Sequence, residues 1–203
     1  MNYIWQTDDW PKFFWDEGLL LPLLTRVSYK QGKLLGKMEG LGFDALKDEA
    51  HLTSMTDNVV KSGEIEGEDL PHDEVRSSIA RQLGMNHINN LVPSSKNVDG
   101  FVELMTDATG AFSMPLTKAR LFKWHELLFS AGLKNVVGNR IGAYRRGPMQ
   151  VVSGVIGKEK VHYEAPQPNR LNKNMSAFLR WFENPGEINP LLAAGLADRK
   201  SVV

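Results

Sequence analysis

Apolar residues recur at helical spacing along almost the whole of this chain, and that periodicity is what most restricts its fold. Leu19, Leu20, Leu23, Leu24 and Val27 share one side of a segment running from Glu17 to about Met38, and Gly40 and Gly42 are stop signals. A second helix is predicted from about Phe43 or Asp44 to Val60, carrying Leu46, Leu52, Met55 and Val59 and ending near Lys61 to Gly67. Leu70-Pro71-His72-Asp73 reads as a turn in which Asp73 caps a helix that starts at Glu74 and closes by Gly84. Further helices are predicted from Val98 to Thr109, from Thr117 through Phe129, from Leu171 to Phe182 and from Asn189-Pro190 through Leu196. Residues 86–97 and Gly132 to Gly147 read as loops. Only Met149 to Ser153 and Lys160 to Glu164 read as strands. They flank Gly154-Val155-Ile156-Gly157-Lys158-Glu159, which is a β-hairpin signal. The expected fold is mainly α with one hairpin.

The first 16 residues follow neither pattern. Tyr3, Trp5, Trp10, Phe13, Phe14 and Trp15 crowd around Pro11 and read as an irregular arm laid on the body, because so many rings are costly to leave in water. With 203 residues the chain can bury a core without covalent staples. Its 24 basic and 24 acidic residues cancel, so there is no long-range field to draw in nucleic acid or an anionic membrane. The absence of cysteine excludes disulfides, thiolate zinc sites and a cysteine nucleophile. No stretch approaches the ~20 apolar residues of a membrane span, and the N-terminus lacks the form of a signal peptide. The expected compartment is the cytoplasm.

Several motifs fail on inspection. His125-Glu126 opens like a zinc-protease helix, but the second histidine would fall at Phe129. Gly157-Lys158 lacks the flanking glycine and hydroxyl of a phosphate-binding loop and lies inside the hairpin. His51, His72, His87 and His162 have no metal-like spacing, so no metal ligands and no catalytic residues are assigned. Ser62-Gly63-Glu64-Ile65-Glu66-Gly67 is more informative. Ser62 and Glu66 are four apart and share a face on one helical turn. Taken alone, the segment also reads as a frayed, acidic helix end.

Context adds weight to it. The segment resembles the inhibitory pattern of Fic proteins, a Ser or Thr followed by Glu and then Gly or Asn. Gly142-Ala143-Tyr144-Arg145-Arg146 and the run Met149, Gln150, Val151, Val152, Ser153, Gly154 resemble the approach to that family's target-docking hairpin, the flap. Glu164-Ala165-Pro166, Met175 through Trp181-Phe182, and the aromatic arm are similar to the family in the same order, so the resemblance spans Tyr3 to Ala197. It implies a Fic-type helical bundle that transfers AMP from ATP to Ser, Thr or Tyr hydroxyls of a protein substrate docked on the flap. The family's His-Pro-Phe…Gly-Asn-Gly-Arg loop supplies a general base and a phosphate cradle, and an acidic residue holds Mg²⁺. Ser62, Glu66 and Gly67 would form the brake. Glu66, near the ATP phosphates, would pair with the loop's last arginine, and Gly63 and Gly67 would let the segment move.

The resemblance also implies what is missing. After Leu191 to Ala197 the family continues with a histidine and an apolar helix, whereas this sequence reads Asp198-Arg199-Lys200-Ser201-Val202-Val203. One frame of a common sequencing adapter encodes that hexapeptide, so 198–203 is expected to be a foreign tail. The fold is then incomplete at its C-terminus. Residues 1–97 would form the arm and inhibitory helical region, and 98–197 the first part of the Fic domain. ATP and Mg²⁺ would belong to the complete parent, this fragment itself being inactive. The alternative is a non-catalytic interaction protein that donates its inhibitory helix in trans.

Overall fold

The structure, a computed structural model, describes residues 3–40, 47–85, 87–129, 140–155 and 157–200. They form helices α1 (Glu17–Gly40), α2 (Lys47–Ile65), α3 (His72–Gln82), α4 (Lys96–Gly110), α5 (Lys118–Phe129), α6 (Pro168–Glu183) and α7 (Pro190–Lys200). Strands β1 (Gln150–Ser153) and β2 (Lys160–Glu164) pair as an antiparallel hairpin. The mainly helical fold with one hairpin is as the periodicity predicts. The predicted start of the second helix and part of the Gly132 to Gly147 loop lie outside the described residues. The chain divides into two compact units. A helical unit comprises Leu34–Pro115 and Arg120–Val137, and a hairpin unit comprises Met1–Lys33, Leu116–Ala119 and Gly138–Val203.

In the helical unit α2, α3 and α4 each turn one apolar face inward. Leu52 and Val59 of α2, Val75, Ile79 and Ala80 of α3, and Val98, Phe101 and Val102 of α4 are buried together with Leu70 and Met85. Each fully buried side chain of this size contributes roughly 1.5–3 kcal/mol. Thr56 lies on the same face of α2 and is tolerated there because its hydroxyl donates to Leu52 O at 2.7 Å. The segment after α3 is tied down by polar side chains. Ser77 Oγ accepts from Val92 N at 2.9 Å, and Ser78 and Ser94 both donate to Asp99 Oδ1, at 2.6 and 2.5 Å. Ser95 then caps α4 by accepting from Val98 N at 3.3 Å.

Two boundaries differ from the prediction. Helix α3 begins at His72 with Pro71 as its N-cap and no side-chain cap, so Asp73 sits inside the first turn. There its charge, with that of Glu74, suits the positive end of the helix dipole, and Glu74 Oε2 also accepts from Ser95 N at 2.8 Å. Helix α2 runs to Ile65 rather than Val60, for a reason given below.

Helices α4 and α5 meet at a glycine. A Cβ on Gly100 would stand 2.3 Å from Leu127 O, so only glycine allows this approach of two main chains. The connection between these helices is held by Arg120, whose side chain is only 13% exposed. Its Nε donates to Asp107 Oδ2 at 2.7 Å, and its two terminal nitrogens donate to Met114 O, Asp107 O and Ala111 O at 2.9, 2.7 and 3.0 Å. Trp124 Nε1 donates to the same Asp107 oxygen at 2.7 Å. These donors, the Arg120 side-chain hydrogen bond foremost, hold the Asp107 carboxyl below the usual carboxylate range although partial burial opposes them.

The hairpin unit gathers the arm, the hairpin and the last two helices. Gln150 pairs with Glu164, Val151 with Tyr163, Val152 with Val161 and Ser153 with Lys160, so His162 is the extra residue of a bulge. The arm lies on β2 as expected: Trp5 Nε1 donates to Glu164 O at 2.8 Å, and Tyr3 meets Tyr163 edge-on at 5.3 Å. Helix α6 starts at Pro168, three residues earlier than predicted, because proline at the first position loses no hydrogen bond. Helix α7 continues through Lys200, whose ammonium lies 4.6 Å from the Trp181 ring centre and 5.4 Å from that of Phe13. Leu196 is buried, while Phe182 and Leu191 are exposed. Two leucines of α1 are more exposed still, Leu19 at 71% and Leu21 at 65%. No helix among the described residues is long and apolar enough to cross a membrane.

Candidate functional site

The end of α2 explains the Ser62-to-Gly67 segment residue by residue. Gly67 adopts a left-handed conformation, φ +79°, just past the helix. Gly67 N donates to Glu64 O at 3.1 Å and Glu68 N to Gly63 O at 2.8 Å, the paired bonds of a Schellman ending. Glu66 is thereby the helix's C-cap, its amide bonded to Ser62 O at 3.2 Å. Gly63 has a different task. A Cβ there would meet Leu70 Cδ1 at 2.7 Å, so its hydrogen is what lets Leu70 fold back and bury itself. The glycines therefore fix this turn. One is a cap and the other a seat for a core leucine.

Ser62 and Glu66 line a cavity of about 730 Å³ in the helical unit. Phe101, Leu104 and Met105 of α4 and Leu128 and Phe129 of α5 supply its apolar walls. Ile65, Glu68 and Asn97 complete the lining. Lys61, next to Ser62, is engaged by Glu64 at 2.8 and 3.0 Å. Gly67 shapes the turn and does not line the cavity. The wall residues of α4 and α5 were not singled out in the sequence. Their signal is only the i, i+3, i+4 set Phe101, Leu104 and Met105, which any amphipathic helix shows.

The expected flap residues Met149 to Gly154 lie in the hairpin unit. Met149 closes the base of the ribbon, its carbonyl accepting from Ala165 N at 2.9 Å. Gln150, Val151, Val152 and Ser153 form β1, all exposed, with Val151 and Val152 presenting apolar surface to solvent. Ser153 Oγ and His162 Nε2 are 2.5 Å apart across the bulge. Gly154, at φ +113°, turns out of the strand, where a Cβ would stand 2.9 Å from Lys158 O. Among the described residues β1 pairs with β2 alone, leaving its other edge open.

The chain's likeness to known proteins is one of fold. A Fic family protein from Desulfovibrio desulfuricans G20 superposes on it with a TM-score of 0.58 at 20% sequence identity. The fold is Fic-like. The match covers 94% of this chain and 52% of that one, so the chain spans about half the length of the protein it resembles. Residues 3–85, which hold the arm and the end of α2, match a family described as a domain of unknown function, DUF4172. No curated protein sequence matches the chain.

Among the described residues no cluster of three or more histidine and carboxylate side chains is placed to hold a metal ion. Nor does the cavity fit a nucleoside triphosphate by its own residues. Among the described residues its rim carries Glu66 and Glu68 and no lysine, arginine or histidine, so phosphate oxygens would meet like charge there without a donor cation.

Proposed function

We propose that this chain is the N-terminal part of a Fic-fold protein that transfers AMP from ATP to hydroxyls of a target protein, and that it contributes the brake and the docking flap. The observation that carries the reading is the position of Ser62 and Glu66 together on the wall of a cavity in a Fic-like fold. A carboxylate at a helix C-cap, without an ion pair among the described residues, is available to an incoming guanidinium. A bidentate Arg–carboxylate pair competes directly with an anionic ligand for that arginine. ATP, Mg²⁺ and the catalytic base would be held by residues outside this chain. The open edge of β1 supports docking of a target segment as an added strand.

The test is made on the complete gene, read through the codon for Ala197. The full-length protein and its Glu66→Gly variant are incubated with ATP labelled at the α-phosphate. Stronger protein labelling by the variant is expected. Equal labelling removes the brake, and absence of labelling from both removes AMP transfer. A native stop codon after Val203, with labelling of a separate Fic enzyme suppressed by this chain, would instead establish donation of the helix in trans.

A further inference from the structure

We propose that the cavity at the end of α2 binds organic cations, molecules with an aryl or alkyl body and one protonated amine or guanidine. At about 730 Å³ it falls within the range of small-molecule sites, roughly 300–1,000 Å³. Its walls are the side chains of Phe101, Leu104, Met105, Leu128 and Phe129, so the body of a ligand must be apolar. Its rim decides the charge. Glu66 and Glu68 stand there, and among the described residues neither has an ion pair and no basic side chain lines the cavity.

Backbone geometry reinforces that sign. The Schellman ending places Glu66 at the C-cap of α2 and Glu68 two residues on, beside the negative end of the helix dipole. Two carboxylates at the negative end of a 19-residue helix therefore line an apolar cavity. A cation entering there gains from both carboxylates and from the helix dipole. An anion of the same shape is repelled by the same groups. Binding shares Glu66 with the proposed brake but requires only residues of this chain and no nucleotide.

The experiment uses the 203-residue chain and three probes with one body: 4-phenylbutylamine, 4-phenylbutanol and 4-phenylbutyrate, titrated at 20 mM salt. The methyl resonance of Met105 reports occupancy of the cavity. The amine is expected to bind about threefold to tenfold more tightly than the alcohol, and the butyrate most weakly. Glu66→Gln combined with Glu68→Gln should erase the amine's advantage and leave the alcohol unchanged. Both side chains are exposed, so the double variant keeps its fold. Equal affinity of the three probes overturns the proposal, as does an amine preference that survives the double substitution. An unshifted Met105 methyl also overturns it. None of these outcomes bears on nucleotide labelling, which tests the AMP-transfer reading separately.

Discussion

Gly100→Ala asks directly whether the close approach of α4 and α5 is as described. The added Cβ would lie 2.3 Å from Leu127 O and 3.2 Å from its carbonyl carbon. Real Cβ contacts essentially never fall below 3.0 Å, so the two main chains must part by at least the difference between 3.0 and 2.3, or 0.7 Å. The obstacle is backbone and has no rotamer to escape through. Overpacking of this kind costs about 1–3 kcal/mol, and alanine's helical preference over glycine returns about 1 kcal/mol. The net loss is then about 0–2 kcal/mol, and it widens the cavity as well, because Leu128 and Phe129 follow directly on Leu127. Urea denaturation followed by far-ultraviolet circular dichroism measures the loss. Gly110→Ala at the end of the same helix is the control, since nothing lies within 4 Å of its added Cβ and the change should be neutral or stabilising. A Gly100→Ala midpoint above that of the unsubstituted protein would refute the geometry.

Arg120→Ala strands the acceptors of Asp107, Ala111 and Met114 and should cost about 2–3 kcal/mol in the same denaturation assay. Because the Asp107 carboxyl sits below its ordinary value when folded, its stabilising share is present above the unfolded pKa and lost as pH falls through the folded one. Asp107→Asn should therefore flatten the acid limb of stability against pH below about 4 while leaving its neutral slope unchanged. Gly67→Ala forces a side chain into the left-handed region and should lower stability by about 1 kcal/mol, read as a fall in the thermal midpoint. Trp5→Phe removes the donor to Glu164 O, and hydrogen exchange of the β2 amides should accelerate while the α2 and α3 amides are unaffected.

What was legible in the sequence is what local rules govern. The start of α1 follows from Asp16, whose Oδ1 accepts from Leu19 N at 3.0 Å, and the hairpin follows from the glycines that flank its loop. Helix α2 continues past Val60 into the Lys61 to Gly67 stretch, and Gly63 does not break it. In the fold that glycine accommodates Leu70, and the helix is finished by Gly67 instead. Asp73 looked like a cap only because its partner, the helix start at His72, is displaced by Pro71. The cavity was not legible at all. Its walls come from residues some forty to sixty positions beyond Glu66, brought there by a helix crossing that a single hydrogen at Gly100 permits.

The arm's hold on β2 limits how many partners the ribbon can recruit. A two-stranded ribbon with both edges open is bifunctional, like a monomer with two reactive ends, and can grow into a stack without limit. Trp5 and Tyr3 blunt the β2 side at Glu164 and Tyr163, which leaves one live edge along Gln150 to Ser153. On the proposed docking of a target segment, such a ribbon would take one strand and stop. On that reading the aromatic arm would hold the ribbon to a valence of one.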